Sequence, residues 1–289
     1  MSTSDAQLLD DVVDTARYPL TEPGGAAWDG LVARVRHELG AVGCSVLADF
    51  IRPSMRATLR KQGEAVADRA YDDVEVVNAY NIAPDTPLPD GHPGSIPMER
   101  GNAFVARDLV PEGFLVHRLY TNALLKRFVA ACVGLPAVYP LADPLAGLTL
   151  NVVAPGREHP WHFDTNEFSV SMLTREATEG GRFEYCPGIR SPEAENLDDV
   201  RGVLTGHRDH LVRRLTLRPG DLQLFLGRFS LHRVTTVRGE TARHSAIFAY
   251  SERPGVVGSV ARTKQLFGRV LPEHLAAESH AVRGDRLLD

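Results

Sequence analysis

Between residues 148 and 250, short apolar runs alternate with glycine and proline turn signals. The runs are 148–153, 168–173, 182–185, 222–226, 231–237 and 246–250. Between them stand Pro155 with Gly156, Gly180 with Gly181, Pro187 with Gly188, Pro219 with Gly220, and Arg238 with Gly239. An apolar run of that length, closed at both ends by turn residues, reads as a strand. Many such strands in succession fold as a β-sandwich or barrel. Residues 198–211 read as a helical insertion within this unit, and the basic residues between Arg208 and Arg218 read as a solvated helix face.

The first half has a different character. Trp28, Leu31, Val32, Val35 and Leu39 recur at helical spacing, and Gly40 and Gly43 stop that helix. The apolar stretch 44–51 reads as a strand, and 54–70 as a helix introduced by Pro53. Residues 115–133 are expected to form one further helix, ended by Gly134 and Pro136. From 82 to 98, Pro84, Pro87, Pro89, Gly91, Pro93, Gly94 and Pro97 mark a loop, and one so long suits a lid. The first twenty residues are polar and are expected to be loosely ordered. The chain is therefore read as one α+β domain, 1–289. Residues 1–146 supply helical support and lid, 147–252 a β-barrel core, and 253–289 a C-terminal extension.

Composition narrows the functions open to such a chain. A net charge of −5 and a pI near 6.1 argue against a nucleic-acid binder, which carries a basic stripe. No apolar run approaches the roughly 20 residues of a membrane helix. The acidic N-terminus lacks the apolar centre of a signal peptide. Cys44, Cys132 and Cys186 are widely spaced, giving neither a disulfide framework nor a zinc knuckle. A cytoplasmic monomer or homodimer acting on a small molecule is the expectation.

The segment His159, Pro160, Trp161, His162, Phe163, Asp164 carries the chemistry. In extended chain, residues two apart point the same way, so His162 and Asp164 can face one ion. His232, on a later predicted strand, completes two imidazoles and a carboxylate, the facial triad of non-haem iron(II) oxygenases. Such a triad leaves positions open for a bidentate 2-oxo acid and for dioxygen. Arg243 and Ser245 follow; an Arg fork with a hydroxyl on the same face suits the distal carboxylate of 2-oxoglutarate. Asn151, on the strand at 148–153, can face the same cavity beside Thr149. Zinc remains the alternative metal for such a ligand set, although it has no need of Arg243 and Ser245.

The pattern His162-x-Asp164, His232, Arg243-x-Ser245 resembles the Fe(II)/2-oxoglutarate-dependent dioxygenase superfamily. The lead-in helix and strand are similar to phytanoyl-CoA-hydroxylase-like members. The run from His159 to His162, with the following Thr165, Asn166, Glu167 and Phe168, resembles the BesD-like group acting on free amino acids. The resemblance implies a double-stranded β-helix (jelly-roll, cupin-like) core and the cofactors Fe(II), 2-oxoglutarate and O2. It also implies hydroxylation, desaturation or cyclisation of an unactivated C–H bond in natural-product biosynthesis. Halogenases of that group carry glycine where this chain has Asp164, so the resemblance implies an oxygenase and not a halogenase. The substrate-contact candidates are His159, Thr165, Glu167, Arg107 and Arg100. Two other functions stay open: a hydroxylase of a larger lipophilic, peptidyl or carrier-bound substrate, and a non-catalytic metal-binding barrel acting as a sensor.

Overall fold

Two antiparallel sheets form the core of the structure, a computed structural model that describes residues 3–83, 85–277 and 287–288. Their strands, numbered along the chain, are β1 (Cys44–Leu47), β2 (Ala103–Val105), β3 (Leu148–Val153), β4 (His159–His162), β5 (Ser169–Arg175), β6 (Phe183–Cys186), β7 (Arg213–Leu215), β8 (Leu222–Phe225), β9 (Leu231–Val234) and β10 (Arg243–Phe248). The major sheet runs β1-β8-β5-β10-β3-β2 and the minor sheet β7-β6-β9-β4. The expected strands all form, within a few residues of the expected limits. The expected barrel does not close. No ladder joins the two sheets among the described residues, and the contact between them is made by side chains. Phe183 of β6 meets Phe225 of β8 edge-on at 5.2 Å. This is the double-sheet solution to burying strand faces.

Alternation along the major sheet separates two environments. Leu148 and Leu150 of β3, Val170 and Met172 of β5, Leu222 and Leu224 of β8, and Ala246 and Phe248 of β10 face a helical layer and form one buried cluster with it. That layer comprises α1 (Thr3–Val12), α2 (Ala26–Val42), α3 (Pro53–Ala67), α4 (Leu115–Thr121) and α5 (Ala123–Val133). The intervening residues, Thr149, Asn151, Ser169, Ser171, Gln223, Phe225, Arg243, Ser245 and Ile247, line a cavity on the other face. The polar side chains of these strands are thus collected on one side because the apolar ones are spent on the helices.

Three expectations are corrected. From Thr3 onward the N-terminal stretch is ordered. Leu8, Leu9, Val12 and Val13 lie at helical spacing and are buried, and the Tyr18 hydroxyl donates to the Ala48 carbonyl at 2.6 Å. The helix expected over 115–133 is two. Asn122 leaves helical geometry (φ −61°, ψ 124°), and its side-chain oxygen accepts from the amides of Leu124 and Leu125, capping α5. The basic run is not one helix face: Asp209–Leu211 is a 3-10 turn and Arg213–Leu215 is the edge strand β7, where Arg214 pairs with Glu184 at 2.7 Å. The insertion itself holds a helix, α6 (Leu197–Leu204). Residues 82–97 run as loop with a 3-10 turn at Pro93–Ser95, Pro84 lying outside the described residues, and Met98 opens a short strand, Met98–Arg100. Two further helices follow the sheets, α7 (Val260–Phe267) and α8 (Pro272–Ala277).

His244, between Arg243 and Ser245, points away from the cavity and is 1% exposed. Burial, reinforced by Arg175 and Arg243, lowers its pKa from 6.5 to about 4. Unfolded chain takes up this proton near pH 6.5 and the folded protein does not until about pH 4, so the unfolded state binds more protons in between. Stability is therefore present above pH 6.5 and lost as pH falls toward 4, by about 3 kcal/mol from this residue. His244→Leu is expected to flatten the acid limb of a Tm-against-pH curve. An unchanged slope would show that His244 is protonated in the fold.

Candidate metal centre and its cavity

His162 ends β4, and Asp164 lies two residues beyond it. The strand end is held from both sides: the Phe163 amide donates to Ala79 at 2.9 Å and the Asp164 amide to Gly227 at 3.1 Å. His232 in β9 is the direct cross-strand partner of His162. The three side chains converge, with their ligand atoms within 4.8 Å of one another. Asp164 Oδ1 lies 3.9 Å from His162 Nε2 and 3.5 Å from His232 Nε2.

The donor set fits a divalent ion. His162 Nδ1 contacts the Pro160 carbonyl at 2.7 Å and His232 Nδ1 the Ser230 carbonyl at 2.9 Å. A carbonyl only accepts, so each Nδ1 carries the hydrogen and each Nε2 presents its lone pair inward. Burial, with His159 and His232 alongside, lowers the His162 pKa well below 6.5 and keeps the ring neutral. Burial raises the Asp164 carboxyl, but His232, His162 and a hydrogen bond from Ser169 outweigh it and hold the pKa at about 2. The neutral His162 ring and the Asp164 carboxylate stand ready at neutral pH, with His232 Nε2 turned toward them. Gly227 makes this possible, since a Cβ there would overlap the Asp164 carboxylate.

A bulge in β4 brings in a third histidine. His162 pairs with His232 but His159 pairs with Val234, so β4 spends one residue more than β9 over the same interval. The extra residue places both His159 and His162 on the cavity side, the re-aiming that bulges perform. The two rings stack with centroids 3.8 Å apart. Burial first, then the charges of His232 and nearby arginines, drives the His159 pKa well below 6.5, so it too stays neutral.

The cavity around the centre measures about 1170 Å³. Arg243 and Ser245 enter it from β10, and Arg243 Nη1 donates to Ser245 Oγ at 2.6 Å. Desolvation lowers the Arg243 pKa to about 10, which leaves it charged at neutral pH. Asn151 enters from β3, its Oδ1 accepting from Asn102 Nδ2 at 2.9 Å. His159 and Thr165 also line the cavity.

The remaining candidates do not reach it. Glu167 is exposed on the loop after the metal strand. Arg107 is turned toward Tyr120, its guanidinium 5.4 Å from that ring. Arg100 lies behind the wall, 3% exposed, paired with Glu75 at 3.2 Å and donating to the Gln265 carbonyl. Conversely, the sequence reading passed over Gln223, Ser171, Gly227 and Arg262. Gln223 and Ser171 are legible by the same alternation that found Asn151. Arg262 comes from α7, whose Ser259 N-cap and Gly268 C-cap (φ +68°) are readable, but nothing local says where that helix packs.

The family model described as Halogenase D matches residues 97–264, more than half of the chain and the whole of the metal centre. The chain belongs to the Halogenase D family. Within it, this protein is an Fe(II)/2-oxoglutarate-dependent oxygenase and not a halogenase, because the Asp164 carboxylate fills the ligand position that a halide would need. Its cofactors are Fe(II), 2-oxoglutarate and O2. No curated protein matches the chain. Among solved structures, it is similar to the epimerase SnoN in complex with Fe3+, alpha ketoglutarate and nogalamycin RO (TM-score 0.52, 14% identity, 77% of this chain and 84% of that one). It is also similar to the carbocyclase SnoK from nogalamycin biosynthesis (TM-score 0.51, 13% identity, 77% and 85%). AviO1 from Streptomyces viridochromogenes gives a TM-score of 0.50 at 20% identity, covering 76% of this chain and 94% of that one. These likenesses establish the fold: α+β, with a core of the double-stranded β-helix type. No helix of the described residues is long and apolar enough to cross a membrane.

Proposed function

We propose that this oxygenase hydroxylates, desaturates or cyclises an unactivated C–H bond of a free amino acid or a small amino-acid-derived metabolite in natural-product biosynthesis. Iron(II) with 2-oxoglutarate and dioxygen supplies the oxidising equivalents for hydrogen removal; the protein supplies position, charge and exclusion of water. The observation that carries the reading is the mixed lining of one cavity. Asp73 and Glu75 stand in it with Arg262 and Lys264, among Ile82, Phe104, Val256 and Phe267. Charges of both signs around an apolar middle suit a zwitterion with a hydrocarbon chain. This supports placement in the BesD-like group, as does the neutral His159 stacked on the metal ligand.

In this reading Arg243, Ser245 and Asn151 hold 2-oxoglutarate from the major sheet. His159 and Thr165 meet the substrate, and the proline-rich loop to which the cavity-lining Ile82, Ala83 and Thr86 belong acts as a lid. The buried thiols of Cys44, Cys132 and Cys186 suit a reducing cytoplasm.

Anaerobic protein with Fe(II) and 2-oxoglutarate is expected to show the weak charge-transfer band near ~500 nm of a 2-oxo acid on a facial triad. At least one free amino acid is expected to shift it, and air then to release succinate with an oxidised product of that amino acid. A band that no amino acid perturbs would reject the substrate class while retaining the oxygenase.

A further inference from the structure

Arg262 is a second cation on the cavity wall, half-buried, and it differs from the structural arginines around it. Arg190 pairs with Glu195, Arg100 with Glu75 and Arg233 with Glu184. Arg262 has no carboxylate in contact among the described residues. Its Nη1 donates to two neutral amides, Asn81 Oδ1 at 3.1 Å and Gln265 Oε1. Desolvation lowers its pKa to about 10; Arg100 nearby adds to the lowering, and Asp164 and Glu75 oppose it. Neither acid is free to balance it. Asp164 is a ligand of the iron, and Glu75 is held by Arg100. A guanidinium turned into a cavity with only neutral amides as partners is poorly compensated in the empty protein and gains most when an anion arrives.

We infer that Arg262 anchors a free carboxylate of the substrate, so that the substrate enters as an untethered carboxylic acid and not as a thioester on a carrier. One planar guanidinium matches one carboxylate through two parallel hydrogen bonds. A phosphate or pyrophosphate tether would bring two or more negative charges into a cavity that already holds Asp73 and Glu75. The anchor is tied to the metal strand. Asn81, at φ +55°, accepts from Arg262 and donates through Nδ2 to the Phe163 carbonyl at 3.1 Å, between two iron ligands. Its helix is tied to the core in turn: the Gly258 amide donates to Asp143 Oδ2 at 2.9 Å, and His274 of α8 lies 3.2 Å from the same oxygen, both side chains fully buried. The carboxylate grip is therefore positioned relative to the iron through the protein's own bonds, and the distance between them selects which carbon of the chain is attacked.

This deepens the amino-acid reading and rests on it for the ligands first tried. The anaerobic Fe(II) and 2-oxoglutarate complex is titrated with the twenty free amino acids, with their carboxamides, and with plain carboxylates such as hexanoate and phenylacetate. Dissociation constants come from the band shift and from calorimetry. Wild type is expected to bind an amino acid and to lose about 30-fold or more in affinity for its carboxamide. Arg262→Gln should lose a similar factor for the acid and none for the amide, and Arg262→Lys should recover part of it. The unperturbed band, with 2-oxoglutarate affinity within about twofold, reports that each variant keeps its metal strand. If an amino acid binds wild type and Arg262→Gln equally well, the anchor is wrong and the amino-acid reading stands. If only plain carboxylates bind, and through Arg262, the anchor stands and the amino-acid reading falls. Binding of neither class overturns both.

Discussion

Gly227→Ala is expected to abolish the charge-transfer band and turnover as completely as Asp164→Ala, in a protein that still folds. Gly227 lies in the turn after β8, but it is absent from the residues with positive φ, so alanine meets no left-handed backbone strain there. What alanine meets is Asp164. The added Cβ would occupy the place of the carboxylate, with Oδ2, Cγ and Cβ of Asp164 all inside contact distance. The Asp164 amide is also bonded to the Gly227 carbonyl at 3.1 Å, so backbone cannot retreat without losing that bond. The side chain must leave, and the triad loses its anion. Overpacking of this kind costs about 1–3 kcal/mol of stability. The cause is separable from generic damage by a double-mutant cycle: with Asp164→Gly already present, the same methyl has nothing to displace, and most of the Tm loss should vanish. Iron affinity by competition with a chelator and the intensity of the band are the readouts. Full band intensity in Gly227→Ala would mean that Asp164 reaches the metal by another path.

The contrast between Gly227 and its neighbours shows what a sequence can carry. His162 and Asp164 are legible because two-residue spacing in extended chain fixes relative direction, and the punctuated strands are legible for the same local reason. Arg243 and Ser245 belong with them, separated by the outward His244. Close approach between distant segments leaves no such trace, and in one sequence Gly227 looks like any glycine after an apolar run. His159 was legible only as an open question, since its cavity position depends on a bulge that slides β4 by one residue against β9. Arg100 and Arg107 illustrate the reverse error: an arginine near a loop has reach in many directions, and pairing with Glu75 or packing on Tyr120 decides which is used. The N-terminal helix is legible in principle: among its acidic residues, Leu8, Leu9, Val12 and Val13 stand at the spacing of one buried face. Arg262 required knowing that the chain after the last strand folds back over the cavity.

Arg243→Gln is expected to weaken 2-oxoglutarate binding by about 30- to 1000-fold, the range for truncating one side of a buried charge pair. Iron binding should be unaffected. Arg243 is 5% exposed, and no carboxylate faces it among the described residues. Its single hydrogen-bond partner there is the Ser245 hydroxyl. Desolvation is the one resolved cause of its shift to about 10. A cation in that setting is a debit in the protein without cofactor and becomes favourable when a carboxylate arrives. The sign of the stability change therefore depends on the cofactor. Without 2-oxoglutarate, Arg243→Gln should melt no lower than wild type, because removing an unpaired buried charge offsets the lost packing. With saturating 2-oxoglutarate, wild type should gain Tm through linkage and the variant should not. Arg243→Lys should fall between them, since an ammonium offers charge without the planar fork. Thermal unfolding with and without 2-oxoglutarate, in the presence of Mn(II) to avoid turnover, measures both halves. A variant that melts well below wild type without cofactor, yet is raised as much by 2-oxoglutarate, would make Arg243 a structural residue and move the cofactor's distal carboxylate elsewhere in the cavity.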